Sequence, residues 1–421
     1  MVEETISISR REYSELLRRC RHLEEKRAKT PGPAGSSSYS GEYQNDSSSE
    51  HSPPERHSII SVDTEAPREG RILQDPDGTI RYLGESAGAT FLNHVREYMA
   101  TVFPSAFNAT WPASDGSTTG FIADLGRYHT HDSRPLLATT VDSLTLPTKD
   151  EVLLMLSELR YWAQDGATTI ESGGIYYWAN IDDLTSQYYA YLSNPRAENG
   201  SSNLALVNAA FALACQFNPN CAPNWDSTAG QTFFARARSL IGNPLDLSTI
   251  ADASVLALLG FYLTNCNRRD AAYIYISVAM HILLVHGVHR AWMIDEEGKR
   301  LFWTIYNLDR WLSCLMGRPA MIPDEAIKLD LPRDTRGLPS ARGLCAHIQL
   351  SRISNFIVSN VFDVSRQPFA PRSMLRCIQR ALAMLKSWRL GLPDILQYVE
   401  ENFSQDRAVY ELRMAHNQVC F

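Results

Sequence analysis

From residue 147 to about residue 390 apolar positions recur every three to four residues, and this period predicts one helix after another. Pro147 is followed by Thr148-Lys149-Asp150-Glu151. In that spacing a Thr hydroxyl takes the N3 amide while the Glu carboxylate reaches back to the Thr amide, so a helix is expected to start there and run through Trp162. Further helical runs fall near 181–193, 202–217, 230–241, 248–264, 270–287, 295–316, 343–362 and 371–390. Strand-like alternation is nearly absent. Ala271 to Val285 is apolar all round, which marks a helix enclosed by others and is expected at the centre of the bundle. The run from Asp295 places Leu301, Ile305, Leu308, Leu312 and Leu315 on one stripe, with Phe302, Tyr306, Asp309 and Ser313 beside it. A carboxylate at a core edge is costly unless paired, so Asp309 is expected to meet Arg318 or Arg290, the nearest candidates. Gly317 suits the position after the helix end, and Pro319 prevents continuation.

The N-terminal third reads differently. Ser9-Arg10-Arg11-Glu12 is a second capping box, and Ile6, Tyr13, Leu16, Cys20 and Leu23 fall at a and d heptad positions with Arg and Glu on the flanks. This predicts a short two-stranded coiled coil over 1–29, with Tyr13, Leu16, Cys20 and Leu23 as its dimerisation seam. Thr30 to about Ser58 holds almost nothing apolar and does not repay the entropy of ordering. A disordered linker is expected over 30–80, a loop-rich lead-in with a short helix near Ala89 to Met99 over 81–146, an α-helical domain over 147–400 and a tail over 401–421. The fold class is all-α: a large multi-helix bundle preceded by a short coiled coil and a disordered linker.

Composition narrows the function. The 421 residues are 44% hydrophobic, enough for a substantial core, and the net charge of −7 repels nucleic-acid phosphates over most of the surface. The eight cysteines form no C-x-x-C pair, so they are read as reduced and mostly buried, including Cys215 and Cys221 around Asn218-Pro219-Asn220. No secretory leader is visible. The longest apolar stretch, Ala271 to Val285, falls short of a membrane span and is interrupted by Ser277 and His281. A cytoplasmic or nuclear location follows, with no membrane partner.

Catalytic motifs are missing: there is no G-x-S-x-G, Walker-type loop, H-E-x-x-H or strand-linked G-x-G-x-x-G. Gly84-Glu85-Ser86-Ala87-Gly88 is only loosely like a phosphate cradle, and a turn before the next helix is the simpler reading. Asp182-Asp183 is reminiscent of a magnesium-holding pair but lacks its third acid and a downstream partner motif; a solvated helix N-terminus explains it. His281, His286 and His289 do not share one helical face. No catalytic, cofactor or metal residue is assigned. The cations Arg10, Arg11, Arg18, Arg19, Arg21, Lys26, Arg27 and Lys29 alternate with glutamates, as in coiled-coil flanks, or serve nuclear import or DNA-backbone contact.

Phe233-Phe234-Ala235-Arg236 through Ile241, Val255 through Leu259, and Ala271 through Val285 ending in His286-Gly287-Val288-His289-Arg290 appear in an order that resembles the middle homology region of fungal zinc-cluster transcription factors. Arg300-Leu301-Phe302-Trp303-Thr304-Ile305-Tyr306-Asn307-Leu308-Asp309-Arg310, then Gly317-Arg318-Pro319 and Leu331-Pro332, resemble that family's most recognisable block. Tyr82 through Gly88 with Phe91-Leu92 looks like the segment that often precedes it. The resemblance implies a transcription regulator acting in the nucleus, with Gly287, His289, Arg290, Arg300, Trp303, Tyr306, Asp309, Arg310, Gly317, Arg318 and Pro319 as its motif residues. It implies DNA as a partner, homo- or heterodimers, and a metabolite as effector; an interaction scaffold and an all-α enzyme are the alternatives. Asp309, Arg310 and Arg318 are expected to form one polar cluster. The family's six N-terminal cysteines are not found, so no zinc ligand carries over: either the sequence begins after the cluster or the factor lacks its own DNA reader.

Overall fold

The computed structural model describes residues 70–74, 80–103, 146–165, 172–193, 200–225, 228–243, 248–292, 294–362, 371–397 and 406–420. Tyr13, Leu16, Cys20, Leu23 and the coiled coil expected around them lie outside these. Among the described residues the chain is all-α, with eleven α-helices and one two-stranded sheet. Strands β1 (Arg71–Gln74) and β2 (Ile80–Leu83) pair antiparallel with Arg71 opposite Leu83. The helices are α1 (Gly88–Val102), α2 (Lys149–Ala163), α3 (Ile181–Ser193), α4 (Gly200–Phe217), α5 (Ala229–Ile241), α6 (Ile250–Asn265), α7 (Arg269–Val285), α8 (Glu296–Met316), α9 (Arg342–Val361), α10 (Pro371–Leu390) and α11 (Arg407–Cys420). Two features depart from the sequence reading. The linker expected over 30–80 includes β1, and a helix, α11, lies within the stretch read as a tail.

Local chemistry starts and stops the helices. Thr148 caps α2 as the spacing predicts: its amide donates to Glu151 Oε2 at 2.8 Å and its hydroxyl accepts from the Glu151 amide at 3.4 Å. Thr249 and Asp252 form a second box at α6, with the Thr249 amide 2.7 Å from Asp252 Oδ2. Asp295 opens α8 by accepting from the Gly298 amide at 2.8 Å. At its far end Gly317 adopts φ 62°, and the Arg318 amide reaches back to the Ser313 carbonyl at 2.9 Å. This closes the last turn and satisfies an orphan carbonyl.

The innermost helix is α4, not α7. Leu204 through Cys215 is buried without interruption, because α2, α3, α5 and α6 enclose α4 on all sides. From there packing passes in sequence order: α6 on α7, α7 on α8, α8 on α9. Although α7 is apolar all round, it belongs to an outer layer and leaves Ile274 and Val285 59% and 84% exposed. A second, smaller core joins α9, α10 and α11 through Ala346, Leu350, Leu385, Trp388 and Leu412, with Ile175 contributed from the segment before α3.

That segment, 172–180, has no regular structure, yet Ser172 through Ile175, Tyr177 and Trp178 are buried. Buried backbone groups need partners. Here Ser172 carbonyl accepts from the Gly343 amide at 2.9 Å, Tyr177 amide donates to Thr304 Oγ1 at 2.8 Å and Trp178 amide donates to Gln164 Oε1 at 2.9 Å. Gly173 and Gly174, at φ 71° and 76°, pass so close to Ser340 and Gln164 that a Cβ would lie 1.9 and 1.5 Å from their carbonyl oxygens.

Docking of α11 places Glu411 against this second core, where burial pushes its carboxyl up to about 7 despite Arg407 at 3.4 Å. A carboxyl whose folded pKa is raised binds its proton in the folded state while the unfolded chain releases it. Its contribution to stability is therefore complete below the ordinary Glu value and is lost as pH rises through about 7. Glu411→Gln, neutral and nearly isosteric, is expected to be as stable as the parent chain near pH 4.5 and more stable near pH 7.5, as read by urea unfolding midpoints.

Candidate functional site

Arg300, Trp303, Tyr306 and Arg310 succeed one another in steps of three and four, which puts them on a single face of α8. All four are buried. The chain leaving α8 runs back along this face as an irregular segment, 317–341, and each side chain donates to it. Arg300 donates to the Pro339 carbonyl and, at 2.9 Å, to that of Arg333. Trp303 Nε1 lies 2.9 Å from the Asp330 carbonyl and Tyr306 Oη 2.8 Å from Asp324 Oδ1. Arg310 reaches the Ile322 carbonyl and, at 2.9 Å, Asp324 Oδ1. Partner numbers fall as helix numbers rise, so helix and return segment form an antiparallel ladder whose side-chain donors meet main-chain carbonyls and the Asp324 carboxylate.

The ladder's lower end holds the charged core. Asp309 accepts from Arg310 Nη1 at 2.6 Å and from the Met321 amide at 3.1 Å, and the Arg310 guanidinium lies 4.3 Å from the centre of the Tyr306 ring. Burial pushes the Asp309 carboxyl up to about 6 against the opposing pull of Arg310 and the Met321 amide. For Arg310 burial opposes the charge, but Tyr306, Asp309 and Asp324 together raise its pKa. The partner of Asp309 is thus its own neighbour, not Arg318 or Arg290. Arg290 is exposed in a single 3-10 turn, Val288–Arg290. Arg318 lies beyond the left-handed Gly317, which turns it off the α8 axis toward the start of α7. Asp324, which also accepts from Asn355 Nδ2 at 3.2 Å, is the residue that sequence reasoning missed. Its position in an irregular segment carries no periodic signal.

Arg318 belongs to a second cluster that fastens the lead-in. Its guanidinium lies 2.6 Å from Asp270 Oδ1 and donates to the Tyr82 carbonyl at 3.0 Å, while Arg81 pairs with the other Asp270 oxygen. The Gly84 amide donates to the Met316 carbonyl at 3.0 Å and Ser86 Oγ to that of Cys314 at 3.0 Å. Gly84-Glu85-Ser86-Ala87-Gly88 is therefore a cap on the C-terminus of α8 rather than an anion cradle. Gly84 and Gly317 touch through their backbones: a Cβ on Gly317 would stand 2.5 Å from the Gly84 Cα and carbonyl carbon. Pro319 completes the corner by accepting from Tyr273 Oη at 2.7 Å. Leu83, Ala87 and Ala89 bury against Met316, leaving beside them an apolar cavity of about 220 Å³ that Leu92, Arg269 and Leu315 also line.

The other motif residues shape the corner between α7 and α8. Gly287 takes φ 70°, and the His289 carbonyl accepts from the Lys328 amide at 2.8 Å, tying the corner to the return segment. Burial and the neighbouring Arg290 lower the pKa of His289. His281 and His286 are exposed and bond to the Ser277 and Ser248 carbonyls, so the three histidines do not converge. Among the described residues no group of three or more His, Cys, Asp or Glu is arranged to hold a metal ion. Asp182 stands exposed in the first turn of α3 with Arg160 at 3.3 Å. Cys215 and Cys221 are buried free thiols with sulfurs 3.7 Å apart.

A buried helix whose polar face is held by its own return segment, with a lead-in strapped to its end, is the centre of this helical domain. A family model described as the fungal specific transcription factor domain matches residues 175–387, half of the 421 residues, and the chain belongs to that family. An uncharacterized transcriptional regulatory protein of Schizosaccharomyces pombe is 25% identical over 369 residues, covering 83% of this chain and 44% of that protein. Activator of stress genes 1 of Saccharomyces cerevisiae is 29% identical over 195 residues, 39% of this chain and 20% of its own length. The lactose regulatory protein of Kluyveromyces lactis is 26% identical over 172 residues, 39% and 19% of the two chains. The chain spans less than half the length of these relatives. No solved structure matches it.

Two substitutions test the geometry. Asp309→Ala leaves Arg310 buried without its closest carboxylate and is expected to lower the unfolding free energy by about 3–5 kcal/mol in denaturant titration. Gly317→Ala introduces a Cβ at a left-handed position and into the Gly84 backbone. It is expected to raise hydrogen exchange at residues 80–90 well above the parent rate while leaving the protected amides of α4 and α6 slow.

Proposed function

We propose that this chain is the regulatory part of a fungal transcription regulator, a helical domain that controls transcription without itself reading DNA sequence or catalysing a reaction. The observation that carries this reading is the α8 ladder: the residues that make it, Arg300 to Arg310 with Asp324, all fall within the matched stretch 175–387. The named relatives are transcriptional regulators and activators, which supports the same reading. Within it, the strapped lead-in connects whatever the N-terminal residues bear to the end of α8. The cluster of Asp270, Arg81 and Arg318 is then the mechanical link between the two. Action in the nucleus, DNA as the ultimate target, pairing of two chains through Tyr13, Leu16, Cys20 and Leu23, and response to a metabolite belong to the same proposal. The apolar cavity beside the strap is where such an effector would bear on the link.

The test is a reporter assay in a fungal host, with residues 1–421 fused to an unrelated DNA-binding domain. Transcription changed in either direction relative to the bare DNA-binding domain is the expected outcome. An unchanged signal from a fusion shown to be nuclear and folded would shift the reading to an interaction scaffold.

A further inference from the structure

We propose that α10, with the adjoining part of α9, is a docking surface for an acidic peptide segment that carries apolar side chains at helical spacing. The chain as a whole has a net charge of −7, yet α10 holds Arg372, Arg376, Arg380, Lys386 and Arg389, and neither α9 nor α10 contains an Asp or Glu. All five cations are exposed, as is Arg352 on α9. None of the six forms an ion pair with a carboxylate among the described residues. The Arg380 guanidinium lies 5.1 Å from the centre of the Phe356 ring. Arg352 turns instead toward α8, 5.1 Å from the centre of the Trp303 ring, so it is Phe356 that extends the α10 surface onto α9.

Apolar side chains lie among these charges. Leu375 and Leu382, a heptad apart, are 55% and 57% exposed. They flank the stripe Arg372, Arg376, Arg380, while the opposite side of α10 carries Leu385 and Trp388 into the second core and buries Ala381. The N-terminal half of α10 is the barer half, with residues 372–376 all exposed. Guanidinium groups match carboxylates in planar, two-point hydrogen bonds, and exposed leucines between them reward a partner that brings apolar groups as well. A phosphate backbone satisfies the arginines but leaves the leucines in water. A lipid surface needs a broad apolar face, and α10 has already committed its own to the core. The acidic, apolar-spaced peptide is the partner that uses both features.

The experiment uses the full purified chain and a fluorescent synthetic peptide of about 20 residues, with Asp and Glu surrounding Leu and Phe at i, i+3 and i+7. Anisotropy at about 150 mM salt is expected to give a dissociation constant on the order of 10 μM. Arg376→Glu with Arg380→Glu, and separately Leu375→Ser with Leu382→Ser, are each expected to weaken binding at least about tenfold with melting temperature unchanged, since all four side chains are exposed. Three results would overturn the proposal: no binding at about 200 μM, equal binding of a control peptide with its Leu and Phe changed to Ser, or tighter binding to duplex DNA or anionic vesicles than to the peptide.

Discussion

Helix α8 carries two guanidinium groups and a carboxylate into the interior, and the site is arranged around that fact. An ion removed from water costs several kcal/mol unless its hydrogen bonds are replaced. Arg300, Asp309 and Arg310 are all buried, so α8 occupies its place only because the return segment 317–341 lies against it and supplies carbonyls, an amide and the Asp324 carboxylate. The dependence is mutual. With only a single 3-10 turn, Asp324–Ala326, of its own, the return segment takes its course from the side chains that hold it. Polar groups here do what apolar packing does elsewhere in the bundle, and they do it with direction: the hydrogen bonds hold helix and segment in one register.

The consequence reaches the lead-in. Gly317 ends the ladder in a left-handed turn that throws Arg318 toward Asp270, and one carboxylate then serves two arginines from segments far apart in sequence. The same turn brings the Gly84 backbone against the helix end, where a side chain on either glycine would not fit. The order of causes runs from charge burial in α8, through the return segment, to the attachment of the chain's N-terminal side.

How much of this was legible depends on what each residue's position owes to its neighbours in sequence. The helices of the bundle were readable because their apolar residues repeat with the helical period and because Thr148, Glu151 and Gly317 carry their capping chemistry locally. Arg300, Trp303, Tyr306 and Arg310 were singled out by the family resemblance, while the spacing reading grouped Tyr306 with Phe302, Asp309 and Ser313. Their partners were not legible, because carbonyls of a segment without helical or strand period have no sequence signature. Asp309 was assigned to Arg318 or Arg290 as the nearest candidates, whereas Arg310, its guanidinium over the Tyr306 ring, is the arginine that reaches it. Hairpin β1–β2 escaped notice because its strands are four residues long and leave Ile72 and Ile80 in solvent, 61% and 66% exposed, so hydrophobicity does not alternate with burial. The central place given to α7 was a misreading of composition. Apolar on all sides, it still turns one stripe outward.

The buried segment 172–180 bears on how the molecule is made. Its main chain is completed by Thr304 and Gly343, and the His347 ring reaches the Ile175 carbonyl across 172 positions. During synthesis, α2 through α7 therefore leave the ribosome before the groups that close their own core have been translated. Early helices wait, with an open seam, for later ones. Assembly of this domain is thus coupled end to end, and a chain interrupted anywhere before α9 exposes the same seam to chaperones and proteases.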